Sequence, residues 1–176
     1  MVASQNTIKS QALTQETLKV VENFENLGTD EKLALLYFIY KKMGDSITPA
    51  VPAATDPELA PKLLGDFYQL SDEDQLAVMR QIVNCENTEY SHAYGVLKEN
   101  NQLMVWFAWA QAMGNTVVDM PSDYNATEAI NSILSQIEGL DFEGQISVLR
   151  TVASRMGYNE IKPIATQAET GKTPSL

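Results

Sequence analysis

A leucine followed by an acid-rich helix start recurs three times in this chain, and each recurrence commits the residues after it to an amphipathic helix. The first copy is Leu27–Gly44, LGTDEKLALLYFIYKKMG. Thr29 reads as its N-cap, and Asp30 and Glu31 place negative charge in the first turn, where the helix dipole favours it. Leu33, Leu36, Tyr37, Tyr40 and Met43 follow at helical spacing, giving one apolar and partly aromatic face. Lys41 and Lys42 close the last turn, and Gly44 reads as the stop. Leu70–Met79 (LSDEDQLAVM) and Leu140–Leu149 (LDFEGQISVL) repeat the layout. Their starts lie 43 and 70 positions apart, which is no solenoid period. One helix-start solution is used three times around a shared centre.

The remaining stretches also read as helices and turns. Thr14 caps a helix through about Asn26, with Leu18, Val21 and Phe24 facing inward. Ile47–Pro61 holds four prolines and reads as an extended crossover, because proline fixes φ and removes a donor. A short helix over Pro61–Tyr68, the second copy over Ser71–Cys85 and a helix from Thr88 to Gly95 come next. Asn101–Met113, NQLMVWFAWAQAM, is apolar all round and carries both tryptophans, so its helix belongs at the centre. Gly114-Asn115 ends it, Met120–Tyr124 is a turn, and Thr127–Glu138 and Asp141–Met156 are the last helices. No segment alternates with period two. The expectation is an all-α fold of about eight helices in two packed four-helix bundles. Residues 1–13 are expected as a flexible arm, 14–162 as the helical domain and 163–176 as a disordered tail.

Charge and cysteine usage exclude several classes. A net charge of −11 over 176 residues, with Arg80, Arg150 and Arg155 the only arginines, argues against nucleic acid and anionic membranes. Cys85 stands alone, so no internal disulfide forms, and no signal peptide or bilayer-length apolar run is evident. The expectation is a soluble cytoplasmic protein that does not span a membrane. Catalysis has little to stand on. His92 is the single histidine, no metal-ligand spacing or phosphate loop is present, and Cys85 with His92 reads as a buried thiol and a surface histidine. The chain is not expected to be an enzyme.

The aromatic and methionine residues support two readings. Tyr37, Tyr40, Trp106, Phe107, Trp109 and Tyr124, with Met43, Met79, Met113 and Met156, can be ordinary core. Tyr and Trp also carry polar ends, methionine adapts to irregular ligands, and Ala34, Ala77, Ala110, Ser147 and Ala153 leave room. Together these residues permit a long apolar tunnel.

The stretches L-A-L-L-Y-F-I-Y-K-K-M-G, W-F-A-W-A-Q-A-M, Met120-Pro121-x-x-Tyr124 and G-Q-I-S-V-L-R-T-V-A-S-R-M-G resemble the N-terminal domain of the orange carotenoid protein, over about Leu18–Tyr158. With the chain stopping at Leu176, it resembles the helical carotenoid proteins, the stand-alone cyanobacterial counterparts of that domain. The resemblance implies a keto-carotenoid (canthaxanthin, echinenone or 3'-hydroxyechinenone type) in a tunnel between two four-helix bundles. By position its lining would comprise Leu33, Leu36, Tyr37, Tyr40, Met79, Trp106, Ala110, Met113, Met120, Tyr124, Arg150 and Met156. Tyr37 stands where the family usually has Trp, Ala110 replaces a glycine, and Arg80 replaces a small residue. The implied role is photoprotection by physical quenching of singlet oxygen. The alternatives are quenching on the phycobilisome, the light-harvesting antenna, or pigment exchange with a separate homologue of the family's C-terminal domain.

Overall fold

In a computed structural model, which describes residues 14–47 and 60–160, the chain is helical. Among the described residues are α1 (Gln15–Glu25), α2 (Thr29–Ile47), a 3-10 helix (Asp66–Gln69), α3 (Asp72–Val83), α4 (Glu89–Gly95), α5 (Glu99–Gln111), α6 (Glu128–Glu138) and α7 (Phe142–Ser154). Extended pairing is limited there to one isolated bridge, Met113 with Val117. The expected arm 1–13, nearly all of the proline-rich crossover and the tail 163–176 lie outside the described residues.

The recurring helix start has a common geometry, and the structure adds a fourth copy at Leu97. In every copy the leucine N–H closes a turn onto the carbonyl three residues back: Leu27 to Phe24, Leu70 to Phe67, Leu97 to Tyr94 and Leu140 to Ile137. The residue after the leucine is the cap, whose carbonyl accepts the first helical bond. Its side chain does the capping where it can. Ser71 Oγ accepts from Asp74 N and Asp141 Oδ1 from Gly144 N. Five positions after the leucine, glutamine reaches back to that same turn carbonyl. Gln75 donates to Phe67 O, Gln102 to Tyr94 O and Gln145 to Ile137 O, at 3.1–3.2 Å. The glutamine thereby splints the turn, and the first copy has Lys32 instead.

Two boundaries of α2 differ from the sequence reading. Gly28, not Thr29, occupies the capping position: its carbonyl accepts from Lys32 N, and its N–H donates to Glu31 Oε1. Thr29 Oγ1 instead donates to Asn84 Oδ1 at 2.8 Å. Nor does Gly44 stop the helix, which continues to Ile47. A glycine stop needs a left-handed φ, and among the described residues the positive-φ glycines are Gly114 and Gly157. Gly44 is buried under the Tyr40 ring, which a Cβ there would meet at 3.0 Å. The expected helix over Pro61–Tyr68 is a run of turns ending in the 3-10 helix. At the other expected helix starts, the side chains of Thr14, Ser71, Thr88, Thr127 and Asp141 all cap by accepting a backbone N–H three residues on.

α1 packs on α6 and α7, and α6 on α7. α2 packs on α3 and α5, and α3 on α4. The contacts α2–α6 and α5–α7 join these groups. α5 is the central element, with Gln102 to Phe107 and Trp109 buried. Its second indole is fixed on two sides: Trp109 stacks on Phe67 at 4.1 Å between ring centres, and its Nε1 donates to Leu63 O at 2.9 Å. No helix of the described residues is long and apolar enough to cross a membrane.

Candidate functional site: an apolar cavity beside the central helix

α2 carries two apolar stripes. Ala34, Leu35, Ile39 and Met43 are buried, whereas Leu33, Leu36, Tyr37 and Tyr40 are only half-buried. The half-buried stripe faces a cavity of about 350 Å³ enclosed by α2, α3, α5 and the 113–124 segment, with Leu149 of α7 contributing. Nearly every lining residue is apolar or aromatic; the charged members are Asp30, Arg80 and Asp119.

The segment from Met113 to Tyr124 holds no helix, so its position needs another source. Gln75 supplies it. This side chain is 1% exposed. Besides splinting its own turn, its Nε2 donates to Thr116 O at 2.9 Å and its Oε1 accepts from Val118 N at 2.7 Å. One buried amide thus latches the strip carrying Met113, Val118, Met120 and Tyr124 against α3. A buried amide with its hydrogen bonds satisfied is a rigid connector; left unsatisfied it would cost stability.

Trp106 is held just as firmly. Its Nε1 donates to Tyr94 Oη at 2.8 Å, and Tyr94 Oη donates to Ala153 O at 2.7 Å. Tyr94 is fully buried, and that burial drives its phenol well above the ordinary tyrosine range. The Trp106 ring meets Trp109 edge-on at 5.3 Å. Both indole N–H groups are therefore spent on protein acceptors. At the mouth, burial chiefly raises the Tyr124 pKa, helped by the carboxylates of Glu31 and Asp30. Tyr124 also lies 6.3 Å from Phe38, and Tyr40 lies 5.8 Å from Phe107.

The structure brings Leu33, Leu36, Tyr37, Tyr40, Met79, Trp106, Ala110, Met113, Met120 and Tyr124 to this cavity. Arg150 and Met156 line a different one, with Gly95, Leu97–Asn100, Gln102, Ser154 and Asn159. Neighbouring residues face the two spaces: Leu103 and Gln102 on α5, Leu149 and Arg150 on α7. The α5–α7 contact is the wall between them. Arg150 Nε is buried and has no hydrogen-bond partner among the described residues. Arg80 pairs with Asp30 and Arg155 with Glu25. Sequence reasoning missed Gln75 and Tyr94, which touch the site through other residues. The glutamine recurring at the fifth position of the repeated start was the one available signal for Gln75.

Cys85 and His92 serve separate ends. Cys85 sits in the left-handed region (φ 56°) just past α3, with its Sγ donating to Arg155 O. His92 bonds to Asn87 Oδ1. The described residues contain no group of three or more His, Cys, Asp or Glu placed to hold a metal ion.

Comparison with known proteins agrees with this architecture. The family described as "Orange carotenoid protein, N-terminal" matches residues 10–159. An orange carotenoid-binding domain-containing protein of Nostoc sp. PCC 7120 is 39% identical over 139 residues, 78% of this chain and 81% of that protein. Among solved structures, the Red Carotenoid Protein of Anabaena (Nostoc) sp. PCC 7120 binding canthaxanthin superposes with a TM-score of 0.71 at 33% identity. The match covers 81% of this chain and 99% of that one. The Orange Carotenoid Protein of the same organism, also binding canthaxanthin, gives 0.75 at 26% identity, over 90% of this chain and 51% of that one. The chain belongs to the family of orange carotenoid protein N-terminal domains.

Proposed function

We propose that the apolar cavity binds a keto-carotenoid and that the loaded protein protects by physically quenching singlet oxygen. The observation that carries the reading is the lining itself: apolar and aromatic almost throughout, with both indole donors turned to protein acceptors. A conjugated hydrocarbon chain asks for that surface, since it has no charge to grip and gains from apolar burial. Each ~200 Å² of apolar area removed from water contributes about 5 kcal/mol before ordering costs. The relatives whose structures hold canthaxanthin support the ligand class. When bound, the polyene supplies a low-lying excited state that accepts excitation and releases it as heat.

The chain's own residues do the holding. Leu33, Leu36, Tyr37 and Tyr40 present a continuous face along α2, and Trp106 and Ala110 oppose it from α5. Met79, Met113 and Met120 adapt to the ligand's outline. A pigment reaching Arg150 and Met156 as well would pass the α5–α7 wall at Leu103 and Leu149. The test compares singlet-oxygen quenching by purified carotenoid-loaded protein with that of its pigment-free form. The loaded form should quench faster; equal rates refute the reading.

One observation favours a second role. Arg150 is the arginine without an ion pair among the described residues, which leaves its charge for a partner such as the phycobilisome or a separate carotenoid-carrying domain. The net charge of −11 opposes docking on an acidic antenna. Loss of antenna fluorescence on mixing loaded protein with phycobilisomes at low salt would support this role.

A further inference from the structure

The cavity lining is poor in donors, and its one spare charged donor is not among the residues that the family resemblance assigns to the ligand. The indoles of Trp106 and Trp109 are committed to Tyr94 Oη and Leu63 O. The carboxylates of Asp30 and Asp119 only accept. That leaves Arg80 as the lining residue with N–H groups to offer.

The geometry around Arg80 is fixed from across the α2–α3 seam. Its Nε donates to Asp30 Oδ1 at 2.9 Å and its Nη2 to Asp30 Oδ2 at 3.1 Å. This two-point fork sets the guanidinium plane, which a single contact would leave free to swing. Two of the five guanidinium N–H bonds are used, so about three remain. Met79, next to Arg80 on α3, and Leu33, one turn after Asp30 on α2, line the same cavity. As a surface ion pair alone, with side chains 46% and 62% exposed, Arg80–Asp30 would stabilise the fold little. As a polar rim on an apolar cavity it does something else. A ligand end bearing a ketone gains a charged donor there; a hydrocarbon end leaves that donor to water.

We propose that Arg80, oriented by Asp30, is the specificity-determining residue of the cavity, donating to the ketone oxygen of a terminal ring and so selecting keto-carotenoids over hydrocarbon carotenes. The inference rests on the carotenoid reading above and deepens it. Tyr37, Tyr40 and Tyr124 also line the cavity, and their hydroxyls are the competing source of selectivity.

The experiment is competitive loading. The protein is produced in cells that make both β-carotene and canthaxanthin, then purified, and its pigments are extracted and counted against the cell's own supply ratio. A charge-assisted hydrogen bond should enrich canthaxanthin about tenfold in the unaltered protein. Arg80→Leu should bring the ratio within about twofold of supply, with Arg80→Lys and Asp30→Asn in between, since each keeps a positive charge but loses the fork. Circular dichroism checks that each variant is helical. An unaltered protein that takes up both pigments in the supply ratio overturns the proposal and leaves carotenoid binding standing. Undiminished enrichment in Arg80→Leu overturns it in favour of the tyrosine hydroxyls. An unaltered protein that loads neither pigment overturns the carotenoid reading itself.

Discussion

Replacing Tyr94 by phenylalanine isolates one oxygen atom at the centre of the protein. The ring stays and the packing with it, so the change removes only two hydrogen bonds: Trp106 Nε1 to Oη at 2.8 Å and Oη to Ala153 O at 2.7 Å. The Ala153 carbonyl keeps other donors, the N–H groups of Arg155 and Met156. The Trp106 indole keeps none, and an orphaned buried donor costs about 1–3 kcal/mol. We expect a total loss of roughly 2 kcal/mol, seen as a melting temperature lower by about 4–8 °C for a chain of this size. Urea unfolding followed by far-ultraviolet circular dichroism measures it. The sharper measurement is a double-mutant cycle with Trp106→Phe, which removes the donor in advance. In that background Tyr94→Phe should cost only about 1 kcal/mol, leaving a coupling of about 1 kcal/mol. A coupling below about 0.3 kcal/mol, the scatter of independent sites, would refute the claim that Tyr94 holds the indole.

Other variants test the supports of the cavity. Gln75→Leu keeps volume but strands the Thr116 carbonyl and the Val118 N–H, while the Phe67 carbonyl keeps the Leu70 N–H; a loss of about 2–4 kcal/mol and faster amide exchange at Val118 are expected, by urea unfolding and hydrogen exchange. Gly157→Ala places a Cβ 2.5 Å from Tyr94 Cδ1 at φ +81°, so thermal unfolding should show a loss of about 2–4 kcal/mol. Raising pH tests the burial of Tyr94. Its folded pKa is raised above the unfolded value near 10, so its contribution is intact below pH 10 and is lost as pH climbs from there towards the folded pKa. Between those limits Tyr94 should steepen the alkaline fall in stability by about 1.4 kcal/mol per pH unit, and Tyr94→Phe should remove that increment. Trp106→Phe should leave helicity intact while changing carotenoid retention or the absorption band; unchanged loading and spectrum would return Trp106 to ordinary core.

What the sequence determined by itself is local. Thr14 could be read as a cap, and Ser71, Thr88, Thr127 and Asp141 as helix starts, because a cap and the N–H it accepts are three residues apart, whatever the rest of the chain does. The centrality of α5 was legible for the same reason: a helix apolar on all sides has nowhere to go but inside. The family was legible in the quoted stretches, and with it ten residues that share one cavity. Tertiary structure decided the rest. Gly44 looks like a stop until the Tyr40 ring above it shows why the helix needs no Cβ there and runs on. Gln75 and Tyr94 look like surface and core side chains; only the approach of the 113–124 segment makes one a latch, and only the meeting of α4, α5 and α7 makes the other a clasp on Trp106. Nothing in the sequence says which of Arg80, Arg150 and Arg155 will be paired, yet two find carboxylates across helix seams and Arg150 has no ion pair among the described residues. Arg150 and Met156 fall to a second cavity because α5 and α7 touch between them. A helix start needs a few consecutive residues, whereas a cavity is bounded by helices far apart in sequence, and its shape is set by their mutual packing.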